Sequence, residues 1–575
     1  MPTAKRIAGE GLLMNPARQE VRKKTRISDK RGLFIALGIA VMGLVARLSG
    51  ISEWWLNPDE GIYYSMLTWE EAAPFLQEMM GNAHPPLYYL ATRVFGFLTT
   101  DFVVIRGFSV VLGTAAIFAA WLAGRELASP HGFGNLAGLV AAVLVAVSPG
   151  AIVMSQLIRP YMMQLTLVLL AFFFLLRALR NTGRGSFLWY SAFLSLAIGT
   201  HYSSVLVMGV FAVVILCQLI SSGISRGRLI RLFAAHLPPG LIFVGLYLLH
   251  LRPHLIGSAL AAEALEGWLG PQMIDSVGDA AHHFLGFAVY WFGPWLAIPA
   301  TVLWIAGLGL SLRAGSSIAL AMNLSAVGIA VIAAAAGLYP FGACRHTAWL
   351  VGFFSIAVGC SWAQIWTLLP RLRVVVVAVT VVLALVGQHV ARFEGIGGQF
   401  FFPAQERVLK RSDVKRIREA LTDTAGPEPV LMSLQSYYLL LPFYVEGRSS
   451  SDFSTEAPFF SFSWNSHTVV VVRSWNLSTH PDAIGEPNHL YTFAESIDRL
   501  MPELRLAEQH QAFVVFGGWA SENPGLLLRA DQSLPPSDRL ITRHVQVPGL
   551  TLFVMDIARY RVLMRELIER RGRGL

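Results

Sequence analysis

Two adjacent carboxylates, Asp59 and Glu60, stand in the stretch NPDEGIYY (57–64), directly after an apolar run able to cross a membrane. Later segments add His84 at the head of HPPLYY (84–89), and Gln156, Arg159 and Tyr161 at the end of SPGAIVMSQLIRPY (148–161). His201 and Tyr202 are neighbours, and GLYPFGACRHTAW (337–349) brings Tyr339, Arg345 and His346. These residue types suit one kind of chemistry. A carboxylate within hydrogen-bond reach of a hydroxyl acts as a general base. Arginine meets a phosphate with a planar fork of donors. Together they fit transfer of a sugar from a polyprenyl phosphate to a hydroxyl, with cations holding the charge of the departing phosphate. No metal or other cofactor is required in principle, although a divalent cation near Asp59 is compatible with the carboxylates. Each residue also has a simpler reading. Asp59 and Glu60 fit the cap and first turn of a surface helix, His84 fits a loop, His201 a structural histidine, and the arginines lipid-headgroup anchors.

What favours chemistry is convergence, and convergence depends on the membrane. Hydrophobic residues make up 54% of the 575 and charged residues only 14%; mean hydropathy is +0.53. A soluble domain carries about 25% charged residues, so much of this chain meets lipid. The net charge of +9 comes from short basic blocks between apolar runs, the positive-inside pattern, and gives no groove for nucleic acid. The three cysteines have no zinc, redox or disulfide spacing.

Spans need about 20 apolar residues. The first 32 residues hold nine Lys and Arg, so 1–32 reads as a basic cytoplasmic tail ahead of an uncleaved anchor at 33–51. In this first span Arg47 is able to snorkel to the outer interface. Ten further spans follow near 105–124, 134–150, 161–180, 187–201, 203–221, 232–250, 287–311, 317–337, 347–368 and 372–390. The segment 84–98 is the deciding one. Counting it as a span would turn Arg177, Arg180, Arg184, Arg226, Arg228, Arg231, Arg313, Arg371 and Arg373 mostly outward, against the positive-inside rule. It is also short and carries Arg93 at its centre, so it reads as a juxtamembrane helix. Eleven spans with the N-terminus inside then place every candidate residue at the outer face.

The loop 51–104 becomes a long outer element with short helices. In it Ile62, Met66 and Trp69 recur at helical spacing, as in an amphipathic helix lying on the bilayer. A second outer loop, 251–286, is acidic, with Glu263, Glu266, Asp275 and Asp279 against Arg252, and has room for a lid-like element. After about 391 the composition becomes that of a globular domain. Helices are expected at 413–421 and 491–506, strands at 429–434, 467–475 and 512–518, and a closing hairpin at 539–556. This alternation predicts a three-layer α/β domain at 391–575 on the outer side, serving acceptor docking or stability. The chain shows no internal repeat and no phosphate-loop or dinucleotide glycine pattern.

The order of these motifs resembles a known family. A basic tail and one span lead to Asp59-Glu60, then His84-Pro85-Pro86-Leu87-Tyr88-Tyr89, Arg106 before an apolar run, Ser148-Pro149, and Ser155 followed by Arg159 and Tyr161. The pattern is similar to the GT-C superfamily of polyprenyl-phosphate-sugar glycosyltransferases. Within it, the chain looks most like the bacterial branch related to protein O-mannosyltransferases, aminoarabinose transferases and rhizobial lipopolysaccharide galacturonosyltransferases. The resemblance covers 33–390 and is strongest over 33–205. It implies a polytopic α-helical GT-C domain, an outer α/β tail, and inverting transfer to a lipopolysaccharide or lipid A, polysaccharide, glycolipid or protein acceptor at the outer face of the inner membrane. It further implies that Asp59 is the base with Glu60 beside it, and that Arg159 and Arg345 bind the donor phosphate. His84, Tyr88, Tyr161, His201, Tyr202 and His346 would line the substrate site. Arg345-His346 stands where many relatives have Arg-Tyr. Two rivals remain: a flippase or transporter of a lipid-linked sugar, disfavoured by charges gathered at one face without a repeat, and a non-catalytic scaffold whose outer domain binds envelope glycans.

Overall fold

The computed structural model describes residues 27–67, 72–180, 185–222, 225–256, 270–313, 316–368, 373–392, 407, 409–422, 428–444, 459–464, 467–472, 511–517, 528, 531–532, 535–548, 550–559 and 562. Helix α1 (Asp29–Leu48) leads into a long loop holding α2 (Pro58–Leu67), α3 (Ala72–Gly81) and α4 (Pro86–Gly96). Next come α5 (Phe102–Ala128), α6 (Gly134–Val147), α7 (Pro149–Ser155), α8 (Tyr161–Leu179), α9 (Ser186–Thr200), α10 (Ser204–Ser222) and α11 (Arg226–Leu246). The membrane portion closes with α12 (Val277–Arg313), α13 (Ser317–Ala335), α14 (Ala348–Leu368) and α15 (Arg373–Arg392). Each of the eleven expected spans is helical. Among the described residues eight helices are long and apolar enough to cross alone, and the α6–α7 pair, bent by 62°, makes nine if it is one span. Helix α9, at 15 residues, and the Arg373–Leu383 part of α15 are apolar but shorter. This is a polytopic membrane protein. Its helices approach closely where side chains are small: a Cβ on Gly138 of α6 would lie 2.4 Å from the Trp121 carbonyl of α5.

Arg47 does not snorkel. It is fully buried, with Nε donating to Ser155 Oγ at 3.0 Å, Nη2 to the Val145 carbonyl at 3.0 Å and Nη1 to those of Gly43 (3.0 Å) and Ala146 (3.3 Å). The break between α6 and α7 at Ser148-Pro149 leaves C-terminal carbonyls without helical donors, and the guanidinium supplies them. Gln156 Nε2 then donates to the carbonyls of Arg47 (2.8 Å) and Ser49 (2.7 Å). The C-terminal end of α1 is thereby tied to the turn that carries Arg159.

Helix α4 is the short helix expected in 84–98. Tyr88, Tyr89 and Thr92 face inward, while Leu90 and Val94, with Phe97 and Leu98 just beyond it, are exposed as an apolar edge. Helix α2 departs from expectation. Met66, expected on an apolar face against the bilayer, is buried with Tyr63 and Tyr64: Tyr63 stacks on Tyr89 of α4, Tyr64 packs on Phe102, and the C-terminal domain closes on the helix at Gly61; Trp69 lies outside the described residues. Tyr247–Ile256 continues α11 as a π-helix, and Glu263 and Glu266, in the loop expected at 251–286, lie outside the described residues.

The C-terminal part holds α16 (Arg411–Thr422), β1 (Val430–Ser433), α17 (Leu434–Tyr444), β2 (Phe459–Trp464), β3 (His467–Val472), β4 (Gln511–Gly517), β5 (Ile541–Val547) and β6 (Leu550–Asp556). They form one six-stranded sheet in the order β2-β3-β1-β4-β6-β5. Strand β1 is central and parallel to β3 and β4, while the β2–β3, β4–β6 and β5–β6 pairs are antiparallel. The expected strands and closing hairpin are present, and β2 is additional. Helix α17 packs on Val430, Met432, Val469, Val471 and Phe513 of β1, β3 and β4, and α16 packs on β5 and β6. The helix expected at 491–506 lies outside the described residues, as does most of the tail 1–32.

The same apolar cluster continues from this sheet into Trp55, Leu56, Tyr63, Tyr64 and Met66 of the outer loop. Trp55 Nε1 donates to the Leu439 carbonyl at 2.6 Å, and residues 53–55 exchange backbone bonds with 409–411. Gly61 permits the contact, since a Cβ there would meet the Tyr438 carbonyl oxygen at 2.6 Å. Gly61→Ala is therefore expected to push α17 off α2 and cost about 1–3 kcal/mol. The checks are a lower thermal midpoint and faster limited proteolysis of the C-terminal domain.

Candidate active site

The site is built on the first turn of α2. Pro58 occupies the first helical position, where its missing N–H costs nothing. Asn57 Oδ1 accepts from the Glu60 N–H at 2.8 Å and Glu60 Oε2 accepts from the Asn57 N–H at 3.2 Å, a reciprocal capping box. Asn57, not Asp59, is thus the cap. The two carboxylates project from the positive end of the helix in different directions and meet different fates.

Glu60 is fully buried. Arg106 clamps it, Nε to Oε1 at 2.9 Å and Nη2 to Oε2 at 2.7 Å, and the Ile158 N–H donates to Oε1 at 2.9 Å. Arg106 spends its other hydrogens on the carbonyls of Ile51 (3.1 Å), Trp54 (2.8 Å) and Trp55 (2.9 Å). Every oxygen of Glu60 has at least two donors, which leaves no room for a substrate proton. The catalytic part expected of Glu60 is therefore corrected to a positioning one: it ties together α2, α5 and the 157–160 turn.

Asp59 remains partly exposed, at 19%. Its Oδ2 accepts from Arg159 Nη2 at 2.8 Å and from Arg345 Nη2. Two arginines from segments 100 and 286 residues away thus converge on one carboxylate oxygen. With the Glu60–Arg106 pair, the cluster holds three guanidiniums against two carboxylates, a surplus suited to an anion.

An aromatic and imidazole wall continues from Arg159, whose guanidinium lies over the rings of Tyr63 (5.2 Å) and Tyr161 (5.6 Å). Ring centres of His84 and His201 are 4.9 Å apart, those of Tyr161 and His201 5.4 Å, and His346 lies 6.0 Å from both His201 and Tyr161. Ser203 Oγ bonds His201 Nδ1 at 2.9 Å, and Tyr339 contacts both His201 and His346. Asp59, Arg159, Arg345, His84, Tyr161, His201 and His346 are therefore brought together as the sequence implied. Two expected members are not. Tyr88 is buried behind the wall, bonded to Ser109 at 2.9 Å, and Tyr202 turns away to pair with His250. Arg106, although present in the motif order, was not expected at the site; its signal was an arginine at the start of an apolar helix, where an unpaired charge is costly. Tyr63 and Ser203 had no such signal.

Burial pushes the His84 imidazole well below its usual range, reinforced by His201, Arg159, His346 and Arg345. It is neutral at pH 7, able both to donate and to accept hydrogen bonds. A depressed histidine means that the unfolded chain binds the proton more readily, so stability is held above about pH 6.5 and lost as pH falls toward the folded-state value. Between pH 7 and pH 5 the thermal midpoint of the wild type is expected to fall more than that of His84→Asn; equal falls would remove His84 from the acid-sensitive groups.

Comparison with known proteins fits this geometry. The family model described as dolichyl-phosphate-mannose-protein mannosyltransferase matches residues 83–254, which include His84, Arg106, Arg159, Tyr161 and His201. ArnT from Cupriavidus metallidurans, in the crystal structure bound to undecaprenyl phosphate, superposes with a TM-score of 0.51 at 15% identity, over 92% of this chain and 98% of that one. The fold is GT-C. The Archaeoglobus fulgidus oligosaccharyltransferase, in its apo form, gives a TM-score of 0.47 at 12% identity, covering 86% of this chain and 70% of that one. The Saccharomyces cerevisiae protein O-mannosyltransferase Pmt1-Pmt2 complex, bound to the sugar donor, gives 0.30 at 15% identity over 42% of this chain and 35% of that one. No curated protein sequence matches the chain. In this fold the loop holding α2–α4 carries Asp59, and the sheet domain packs on that loop at Trp55 and Gly61.

Proposed function

We propose that the protein is a glycosyltransferase of the inner membrane, moving a sugar from a polyprenyl phosphate to a hydroxyl of an envelope acceptor on the periplasmic side, N-terminus inside. The observation carrying this reading is the convergence of Arg159 and Arg345 on Asp59. Asp59 takes the proton of the acceptor hydroxyl. The oxygen attacks the anomeric carbon from the face opposite the phosphate, so the new C–O bond forms as the bond to the phosphate oxygen breaks, and the configuration inverts. The departing electron pair settles on the phosphate, where guanidinium donors stabilise the charge as it develops. Neutral His84, with Tyr161, His201 and His346, supplies hydrogen-bonding groups and ring edges for sugar hydroxyls. Lipopolysaccharide or lipid A, polysaccharide, glycolipid and protein acceptors all present such a hydroxyl.

The reaction is proposed to run without a metal. A divalent cation at Asp59 would face two guanidiniums on the same oxygen, which repel it. The test is transfer by the purified protein in proteoliposomes from a radiolabelled undecaprenyl-phosphate sugar to envelope lipid and glycan extracts, with and without EDTA. EDTA-resistant transfer is expected. Its abolition by EDTA, with recovery on adding magnesium or manganese, would replace the arginine-only scheme. Movement of the donor across the bilayer with no transfer to any acceptor would favour the flippase.

A further inference from the structure

Outside the Asp59 cluster, the first outer loop and the C-terminal domain enclose a second groove, of about 620 Å³, within the range of small-molecule sites. Its floor is aromatic, made by Trp55, Tyr64 and Phe102, all nearly buried. One wall is α16, whose Arg411, Lys415 and Arg418 recur every three to four residues and so share a helix face turned to the groove. All three are exposed. The one carboxylate among the lining residues is Asp101, which caps α5 by accepting from the Val103 N–H at 2.8 Å. Lys415 also reaches Glu419 at the surface, at 3.6 Å. Thr100 and Ser412 add hydroxyls.

The groove and the catalytic cluster share a wall. Arg411 lies 5.4 Å from the centre of the Phe102 ring, and Arg106, the clamp on Glu60, lies 5.1 Å from the same ring. Trp55 packs edge-on to Phe102 at 5.0 Å, and its carbonyl accepts from Arg106 at 2.9 Å. A molecule seated here would rest beside α2, whose first turn presents Asp59.

We infer that this groove is a subsite for an anionic saccharide, one bearing phosphate or carboxylate groups. Three cations against one carboxylate select the charge, the aromatic floor offers apolar surface to the face of a sugar ring, and the hydroxyls of Thr100 and Ser412 offer polar partners. The ligand is the acceptor strand, held by its charge while a neighbouring hydroxyl reaches Asp59; this last assignment rests on the glycosyltransferase reading. The C-terminal domain then has a role in acceptor choice as well as in covering α2.

Binding without donor tests the subsite independently of catalysis. The full-length protein in phosphatidylcholine nanodiscs is titrated with phosphorylated mannopentaose, neutral mannopentaose and inorganic phosphate, and the Lys415→Glu/Arg418→Glu protein is titrated alongside. The wild type is expected to bind the phosphorylated oligosaccharide about 10-fold or more tightly than either control, with the preference fading in salt. The double variant should lose that preference while keeping the wild-type thermal midpoint, and Asp59→Asn should bind as the wild type does. Equal binding by wild type and double variant overturns the subsite. Inorganic phosphate binding as tightly as the phosphorylated oligosaccharide reduces it to a bare anion site. Loss of binding on adding phosphatidylglycerol to the nanodiscs assigns it to bilayer headgroups. Charge-dependent binding by a wild type that transfers to no acceptor would sink the proposed reaction and leave the subsite standing.

Discussion

Asp59→Asn is expected to insert and fold like the wild type yet transfer sugar about 10²- to 10⁴-fold more slowly, the range that a positioned general base contributes. The side chain is partly exposed, and asparagine keeps both its shape and an oxygen that can accept from Arg159 and Arg345. What it loses is the basicity and one negative charge. The fall should therefore appear in kcat, with the KM for the donor unchanged or lowered, because the two arginines keep their positions and gain net positive charge for the phosphate. Arg345→Gln offers the contrast. It removes a donor that meets Asp59 in the free protein and, in the proposed reaction, the phosphate in the transition state, so donor KM should rise as kcat falls. Steady-state kinetics with a defined undecaprenyl-phosphate sugar separates the two patterns. Wild-type transfer by Asp59→Asn would overturn the assignment of the base.

The membrane frame was readable because its physics is written locally. Apolar run length, the Pro-Pro start of α4 and the distribution of arginines each depend on a few consecutive residues, and all eleven segments fold as helices. The grouping of Asp59, Arg159 and Arg345 was readable for a related reason: topology forces their segments to one face, and charges at a membrane interface rarely stand alone. What the residues could not tell is how a long-range partner redistributes roles. Arg47 reads as a snorkelling residue until the break at Ser148 supplies carbonyls for it to satisfy. Helix α2 reads as a surface helix because the sheet domain that buries it begins more than 300 residues later, at α16. Tyr88 and Tyr202 carry the same polar ring as Tyr161, and only packing separates a wall residue from one behind it. The Asp59–Glu60 pair is the sharpest case, since adjacent residues on a helix turn point about 100° apart and one sequence motif is split between a partly exposed carboxylate and a fully clamped one.

That split can be tested directly at Glu60. The Glu60–Arg106 pair is buried on both sides, with relative exposures of 0% and 1%. Removing one partner of such a pair costs about 3–5 kcal/mol, because the other charge is left uncompensated away from water. Against a total stability of about 5–15 kcal/mol that is enough to unfold much of the protein. Glu60→Gln keeps the shape, but whichever oxygen its NH2 replaces faces one Arg106 donor and one backbone N–H, that of Ile158 or that of Asn57, so two of the four bonds become donor–donor clashes. Arg106→Met goes further and strips donors from the carbonyls of Ile51, Trp54 and Trp55. Both variants are expected to show lower folded yield and thermal midpoint, in contrast to Asp59→Asn. Because the two residues act as one unit, the Glu60→Gln/Arg106→Gln double variant should be less damaged than the sum of its single variants, a coupling that a thermodynamic cycle reads out. If Glu60→Gln instead folds with a wild-type midpoint and loses only turnover, Glu60 belongs to the reaction with Asp59 and not to the frame that holds it.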